Sequence, residues 1–428
     1  MTRAPPPAKI AATMLPTTPD PTPGVGLPFP ARRPGAVRTI ALAQLFGTSL
    51  WFSANSAAAD LMRVWHLGAS DIGWLVGAVQ TGFILGTLAI ALGGVADGFR
   101  ASRIFVAASL AGAFFNACFA WWSDGLASAL ALRFMVGVSL AGIYPMGMKL
   151  IVGWAPERTG AALSQLVAML TLGTALPHAL RRLGSDLPWQ HVMLASSVLA
   201  IVGAVLVGAL GDGPHAAAAV RSQGGAPRPR RATLAIFRIA RFRASALGYF
   251  GHMWELYAFW ALVPLLVSHT SLAQRHAWVG VPGLSFAIIG IGALGSWAGG
   301  RLSQRIGSER VACGALAASL ACAVAFAGLW RHLPADAMLV LMLLWGATVI
   351  ADSAHFSALS ARACPPDQVG SALALQNAIG FAITVVSIAA TTALFGHLGP
   401  DAVWLLVPGP VLGLLGYAHA SRTARRGG

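Results

Sequence analysis

Two pairs of ionisable residues stand three apart inside otherwise apolar stretches: His252 with Glu255 in residues 244–267, and Asp352 with His355 in residues 337–361. That spacing puts the members of each pair on one face of a helix. A carboxyl and an imidazole so placed can pass a proton between them, because histidine changes charge near neutral pH. An intrahelical pair that only fixes helix packing accounts for the same spacing. Arg133, about two turns inside residues 126–150, carries a permanent charge that must meet an anion, a backbone carbonyl or water. Polar and aromatic residues recur at helical spacing nearby: Gln44, Thr48, Trp51 and Asn55; Tyr249, Trp254, Tyr257 and Trp260; Gln376, Asn377 and Thr384. Such residues line a solute cavity or join helices by hydrogen bonds. Solute and proton binding is therefore expected among Trp51, Asn55, Arg133, His252, Glu255, Asp352, His355 and Asn377.

The surroundings of these residues are set by composition. Of 428 residues 56% are hydrophobic and 10% charged, with a mean hydropathy of +0.69. Soluble domains carry roughly 25% charged residues, so a soluble enzyme, a disordered chain and a nucleic-acid reader are excluded. An integral membrane protein remains, in which a charge at mid-bilayer is costly and each one is a functional candidate. Groups within a turn of a helix end reach the headgroups, which removes Asp60, Asp71 and Lys149 from that set.

Spanning the hydrocarbon takes ~20 apolar residues per helix. Twelve spans are expected: 39–62, 72–96, 103–122, 126–150, 159–180, 189–210, 244–267, 278–300, 310–330, 337–361, 370–396 and 402–420 (spans 1–12). Residues 1–37, with ten of the 25 prolines, read as a disordered cytoplasmic tail, and 421–428 as a second tail. A first bundle of six helices covers 38–210 and a second 244–420, with a cytoplasmic linker at 211–243 rich in Gly, Pro, Ala and Arg. The end of the linker, residues 232–243, alternates apolar residues with Arg238, Arg241 and Arg243, a pattern expected of an amphipathic helix on the membrane surface. Lys and Arg fall 22 on the side of the tails and 5 on the other, which puts both termini in the cytoplasm. The net charge of +15 is then a juxtamembrane charge that meets anionic lipid.

The chain also repeats itself. Gly93, Asp97 and Arg103 after span 2 match Gly300, Gln304 and Arg310 after span 8 at one offset of 207 residues. Residues 156–163 opening span 5, from Pro156 to Leu163, match 366–373 opening span 11, from Pro366 to Leu373, at an offset of 210. Two homologous halves are how many secondary transporters build a midplane site with alternating access. With twelve spans, a basic central loop, Gly93-x-x-x-Asp97 followed by Arg103, and Arg133-Phe134-x-x-Gly137 running into Tyr144-Pro145, the chain resembles the major facilitator superfamily over about residues 38–420.

The resemblance implies an all-α membrane protein of twelve helices in two pseudo-symmetric six-helix bundles. It implies a secondary transporter, in the inner or plasma membrane, that moves a small polar or charged organic solute with protons, by symport, as a monomer. It implies a role for Arg133 in coupling, and a gate latch formed by Asp97 and Arg103, with Arg305 and Arg310 in the second copy. The loop departs from the family signature: Gly98 stands where a basic residue belongs and Arg100 where Gly is usual. The antiporter motif of the family is also absent from span 5, which reads Gly173-Thr174-Ala175-Leu176-Pro177-His178. A proton-coupled drug or metabolite exporter is the alternative within transport, and a transporter-fold ligand sensor the alternative outside it. No Walker loop, zinc-protease His pair or Gly-x-Ser-x-Gly elbow occurs, so no enzyme, no cofactor and no metal is expected. The four cysteines read as small apolar residues.

Overall fold

The computed structural model describes residues 1–2, 35–93, 95–156, 159–184, 186–216, 235–365 and 368–426. The expected tail up to residue 34, the middle of the linker and the loop residues 157–158 and 366–367 of the repeat lie outside them. Among the described residues every regular element is helical, and those from Gly35 onward form one compact unit. Ten stretches are long and apolar enough to cross a membrane. The last, residues 372–423, holds two helices, Val369–Leu398 and Pro408–Arg426, on either side of the turn Gly399–Leu405. Span 1 is not among the ten because it is broken into Ala36–Thr48, Ser53–Ser56 and Ala58–Val64. Division of the one and inclusion of the other accommodates the twelve spans expected.

Other spans are interrupted near their middles. Span 4 breaks at Gly142-Ile143 between Leu126–Ala141 and Tyr144–Trp154, just before Pro145, which cannot donate a backbone hydrogen bond. Span 10 breaks at residues 349–352 between Ala335–Thr348 and Ser353–Ala363, and Asp352 caps the second half. Span 8 steps at Ile291 between Gly280–Gly290 and Gly292–Ile306. Span 7 runs unbroken over Ala240–Ser268 and is the most enclosed of all, with 83% of its apolar window buried.

The expected surface helix at 232–243 is corrected by the structure. A short 3-10 turn, Ala235–Arg238, leads straight into span 7, so Arg241 and Arg243 belong to its first turns. The reason is packing: Ile236 and Phe242 are buried with Ala246, Cys364 and Ala372, which tucks the segment into the bundle. The start of the linker is anchored too, as Trp154 Nε1 donates to Gly211 O (3.1 Å) and the Ser102 amide donates to Asp212 (2.9 Å).

Glycines reveal the duplication independently of the loops. A methyl group on Gly137 of span 4 would overlap the Val79 carbonyl of span 2, and one on Gly346 of span 10 would overlap the Ile288 carbonyl of span 8. Gly86 against Val138 O and Gly295 against Ala347 O repeat the relation, and all four residue matches share an offset of 209. Backbones approach this closely where small residues meet, which is how helices associate in lipid. Gly137→Ala and Gly346→Ala are each expected to destabilise the protein by about 1–3 kcal/mol through overpacking. Gly328→Ala, with open space around it, should leave the melting temperature in detergent unchanged; equal melting of all three variants would refute the reading.

Candidate functional site

The break in span 1 frees backbone carbonyls, and Arg133 answers them. Its Nη2 donates to Leu50 O (3.0 Å) and Trp51 O, and its Nη1 to Ser53 Oγ (3.1 Å) and Asn116 Oδ1 (3.0 Å). Asn116 of span 3 in turn donates to Met193 O (2.8 Å) and Ser197 Oγ (3.1 Å) of span 6. The guanidinium is 1% exposed and lies 5.9 Å from the Phe119 ring, and among the described residues no carboxylate pairs with it. Arg133 thus locks spans 1, 3, 4 and 6 together inside the first half. Asn116, which sequence reasoning passed over, was signalled by an amide in the middle of an apolar span.

In the second half the two expected pairs exchange partners. His252 Nδ1 lies 2.7 Å from Asp352 Oδ1, joining span 7 to the break in span 10, with both side chains no more than 1% exposed. Glu255 turns away: Ser319 Oγ donates to Oε2 (2.8 Å) and Trp345 Nε1 to Oε1 (2.7 Å), on spans 9 and 10. His355 sits one turn beyond Asp352, with its Nε2 against Gly299 of span 8. Both oxygens of Asp352 and Nε2 of His252 are buried without a hydrogen-bond partner among the described residues, so the 2.7 Å approach is a close contact and not an aligned hydrogen bond. So the described structure holds one carboxyl with both oxygens hydrogen-bonded and one with neither.

Aromatic rings join the halves above this pair. Trp51 stacks on Tyr257 (5.7 Å between ring centres) and Phe381 (6.0 Å), and Phe83 meets Phe381 at 4.5 Å. Trp51 Nε1 donates to Gln80 Oε1 (3.2 Å), and Asn55 Nδ2 donates to Ala261 O of span 7 (3.2 Å). Asn377 is half-buried and makes no hydrogen bond among the described residues, whereas its neighbour Gln376 is fully buried with both amide atoms unpartnered. His178 of span 5 is 1% exposed inside the protein.

The expected latch is not brought together among the described side chains. That of Asp97 lies outside them, and Arg103, Arg305 and Arg310 are exposed with no ion pair there. Links form at the other face instead: Arg181 bridges to Asp60 (2.7 Å), tying span 5 to span 1, and Arg182 donates to Trp278 O, tying the two halves.

Broken spans, a glycine-packed repeat and a buried charge pair at a helix break coincide with a family match. The family model of the Major Facilitator Superfamily matches residues 40–389. The chain is a member of the major facilitator superfamily. No curated protein matches the sequence. Among solved structures, the nucleoside transporter NupG is similar with a TM-score of 0.68 at 12% identity, over 90% of this chain and 99% of that one. A bacterial homologue of the human lysosomal transporter Spinster, inward-facing and unoccupied, gives 0.64 at 15% identity, over 93% and 98%. Identities this low speak for the fold. As a facilitator-family protein the chain is a multi-pass membrane transporter of small molecules and not an enzyme.

Within this facilitator the clamp at span 1 has a measurable consequence. Arg133→Ala removes four hydrogen bonds in a dry site, where each hydrogen bond to a charged group is worth about 1.5–3 kcal/mol. It leaves Leu50 O and Asn116 Oδ1 to Ser53 Oγ alone and Trp51 O without this donor. The variant is expected to lose about 3 kcal/mol or more of stability, read as a lower melting temperature in detergent, and Arg133→Lys to recover only part of it. A wild-type melting temperature for Arg133→Ala would remove the clamp from the account.

Proposed function

We propose that this facilitator is a proton-coupled secondary transporter, by symport, of a small polar or charged organic solute. It works as a monomer in the inner or plasma membrane, with its basic face and both termini in the cytoplasm. The observation that carries the reading is the His252–Asp352 pair, buried between span 7 and the break in span 10 with both carboxyl oxygens and one ring nitrogen lacking a hydrogen bond among the described residues. An ionisable pair in that position is expensive unless it exchanges a proton or meets a solute. The pair sits on two helices that need not move together, so its protonation can bias one arrangement of the break over another. Glu255, whose two oxygens already accept hydrogen bonds, is the weaker candidate for the proton and serves to fix spans 7, 9 and 10.

The solute is expected between the halves, where Trp51, Tyr257 and Phe381 stack and Asn55 and Gln376 keep unpartnered amide atoms. Rings supply apolar faces and the amides supply orientation. The fold likeness to a nucleoside transporter puts nucleosides at the head of a test panel, followed by amino acids, sugars and organic acids.

Right-side-out vesicles with and without an imposed inward proton gradient test the reading with that labelled panel. At least one solute is expected to accumulate with the gradient. Asp352→Asn and His252→Gln should abolish accumulation while leaving gradient-free counterflow measurable, and Glu255→Gln should keep accumulation but lower the melting temperature. Accumulation that ignores the gradient, or survives Asp352→Asn, would sink proton coupling through this pair. Accumulation only in inside-out vesicles would make the protein an exporter.

A further inference from the structure

We propose that a cavity at the basic end of spans 7, 9, 10 and 12 binds the phosphodiester of a lipid headgroup. It has a volume of about 300 Å³ and is walled by Arg241, Ser245, Glu309, Arg362, Tyr417 and Ser421, among others. Arg241 comes from the first turn of span 7, and Arg362 from the last turn of span 10. Glu309 comes from the first turn of span 9, while Tyr417 and Ser421 come from span 12. The four helices therefore converge on one polar chamber, whose Ser245 lies two helical turns before His252 on span 7.

The charges of the chamber do not cancel. Neither Arg241 nor Arg362 makes an ion pair or a side-chain hydrogen bond with any described residue. Several arginines elsewhere are occupied: Arg63 and Arg181 by Asp60, Arg275 by Asp336, Arg331 by Asp401, Arg243 by Phe237 O, and Arg301 by the Trp297 ring. Arg103, Arg305 and Arg310 are, like the two of the chamber, without an ion pair among the described residues, but they do not wall this cavity. Two guanidiniums against the single carboxylate of Glu309 leave one positive charge around the cavity. A phosphodiester carries one negative charge and matches it, whereas a phosphate monoester near two charges would be left beside Glu309 with an excess. Guanidinium forks fit phosphate oxygens in bidentate fashion, while the Tyr417 hydroxyl is engaged by Glu309 on the same wall. A volume of about 300 Å³ is at the small end of ligand pockets, enough for a headgroup. Basic pockets between helices at this level of a bilayer are where anionic headgroups are held.

The test uses the full chain, purified in maltoside detergent and stripped of lipid, and reads both melting temperature and bound lipid by native mass spectrometry. The probes are phosphatidylglycerol, diacylglycerol with the same acyl chains, and inorganic phosphate. Phosphatidylglycerol is expected to raise the melting temperature by several degrees and to stay bound, while diacylglycerol does neither. Arg241→Gln with Arg362→Gln should weaken the effect about tenfold or more, as loss of charge-assisted hydrogen bonds requires. Both side chains are exposed, so the lipid-free double variant should melt with the wild type, which separates loss of binding from loss of fold. An undiminished lipid shift in the double variant, or an equal shift from diacylglycerol, overturns the site. A shift from inorganic phosphate alone at the same concentration overturns the lipid as its source and leaves a free-anion site.

Discussion

A helix that breaks inside a bilayer exposes carbonyls to a medium that offers no water, and something in the protein must answer each one. In span 1 the answer is Arg133, whose guanidinium takes the carbonyls of Leu50 and Trp51 while holding Ser53 and Asn116. The break costs hydrogen bonds and the buried charge costs solvation, and each offsets the other only because they meet. Trp51 and Asn55 owe their positions to this arrangement, since both leave the helix at or just beyond the break and reach span 7 and span 11 from there. The contact between the two halves at this level thus rests on one cation within the first.

The second half keeps the frame of the first and changes its chemistry. Glycine contacts between spans 2 and 4 recur between spans 8 and 10 at a constant offset, and spans 4 and 10 break at corresponding levels. Span 7, the counterpart of span 1, stays helical from Ala240 to Ser268, with Pro264 removing a single backbone bond, and no arginine among the described residues is buried against it. Position 342, which corresponds to Arg133 at the same offset, is a buried methionine. The polar groups of this half are titratable ones instead: a carboxyl at the break of span 10 and an imidazole on span 7. A guanidinium braces one half, and a His–Asp pair occupies the other.

Topology was legible because it is written in composition: apolar runs of bilayer length, arginines on one side, loops repeated at half the chain. The break in span 4 carried its own sign in Gly142 and Pro145, but the break in span 1 had none, as its residues 49–52 include neither Gly nor Pro. The i, i+3 rule drew attention to His252, Glu255, Asp352 and His355. It paired them wrongly because it knows only one helix: the partner of His252 lies 100 residues away in sequence, and those of Glu255 are a serine and a tryptophan that no charge pattern distinguishes. The surface helix at 232–243 failed for a related reason. Alternating arginines describe a solvated face, but whether Ile236 and Phe242 meet lipid or protein depends on Cys364 and Ala372, which are remote in the chain.

The two buried carboxyls of the second half show why burial alone does not assign function. Glu255 and Asp352 are both fully enclosed, and composition gives no reason to prefer either. Their hydrogen bonds separate them. The oxygens of Glu255 receive one donor each from helices on two sides, so any change of its protonation must also displace Ser319 or Trp345, the latter packed on Phe259 at 4.1 Å. Asp352 has one imidazole beside it and neither oxygen hydrogen-bonded among the described residues, and it stands at the start of the second half of span 10. A buried carboxyl without donors can change protonation without displacing a packed hydrogen-bond partner, and that difference, rather than burial, sets Asp352 apart from Glu255.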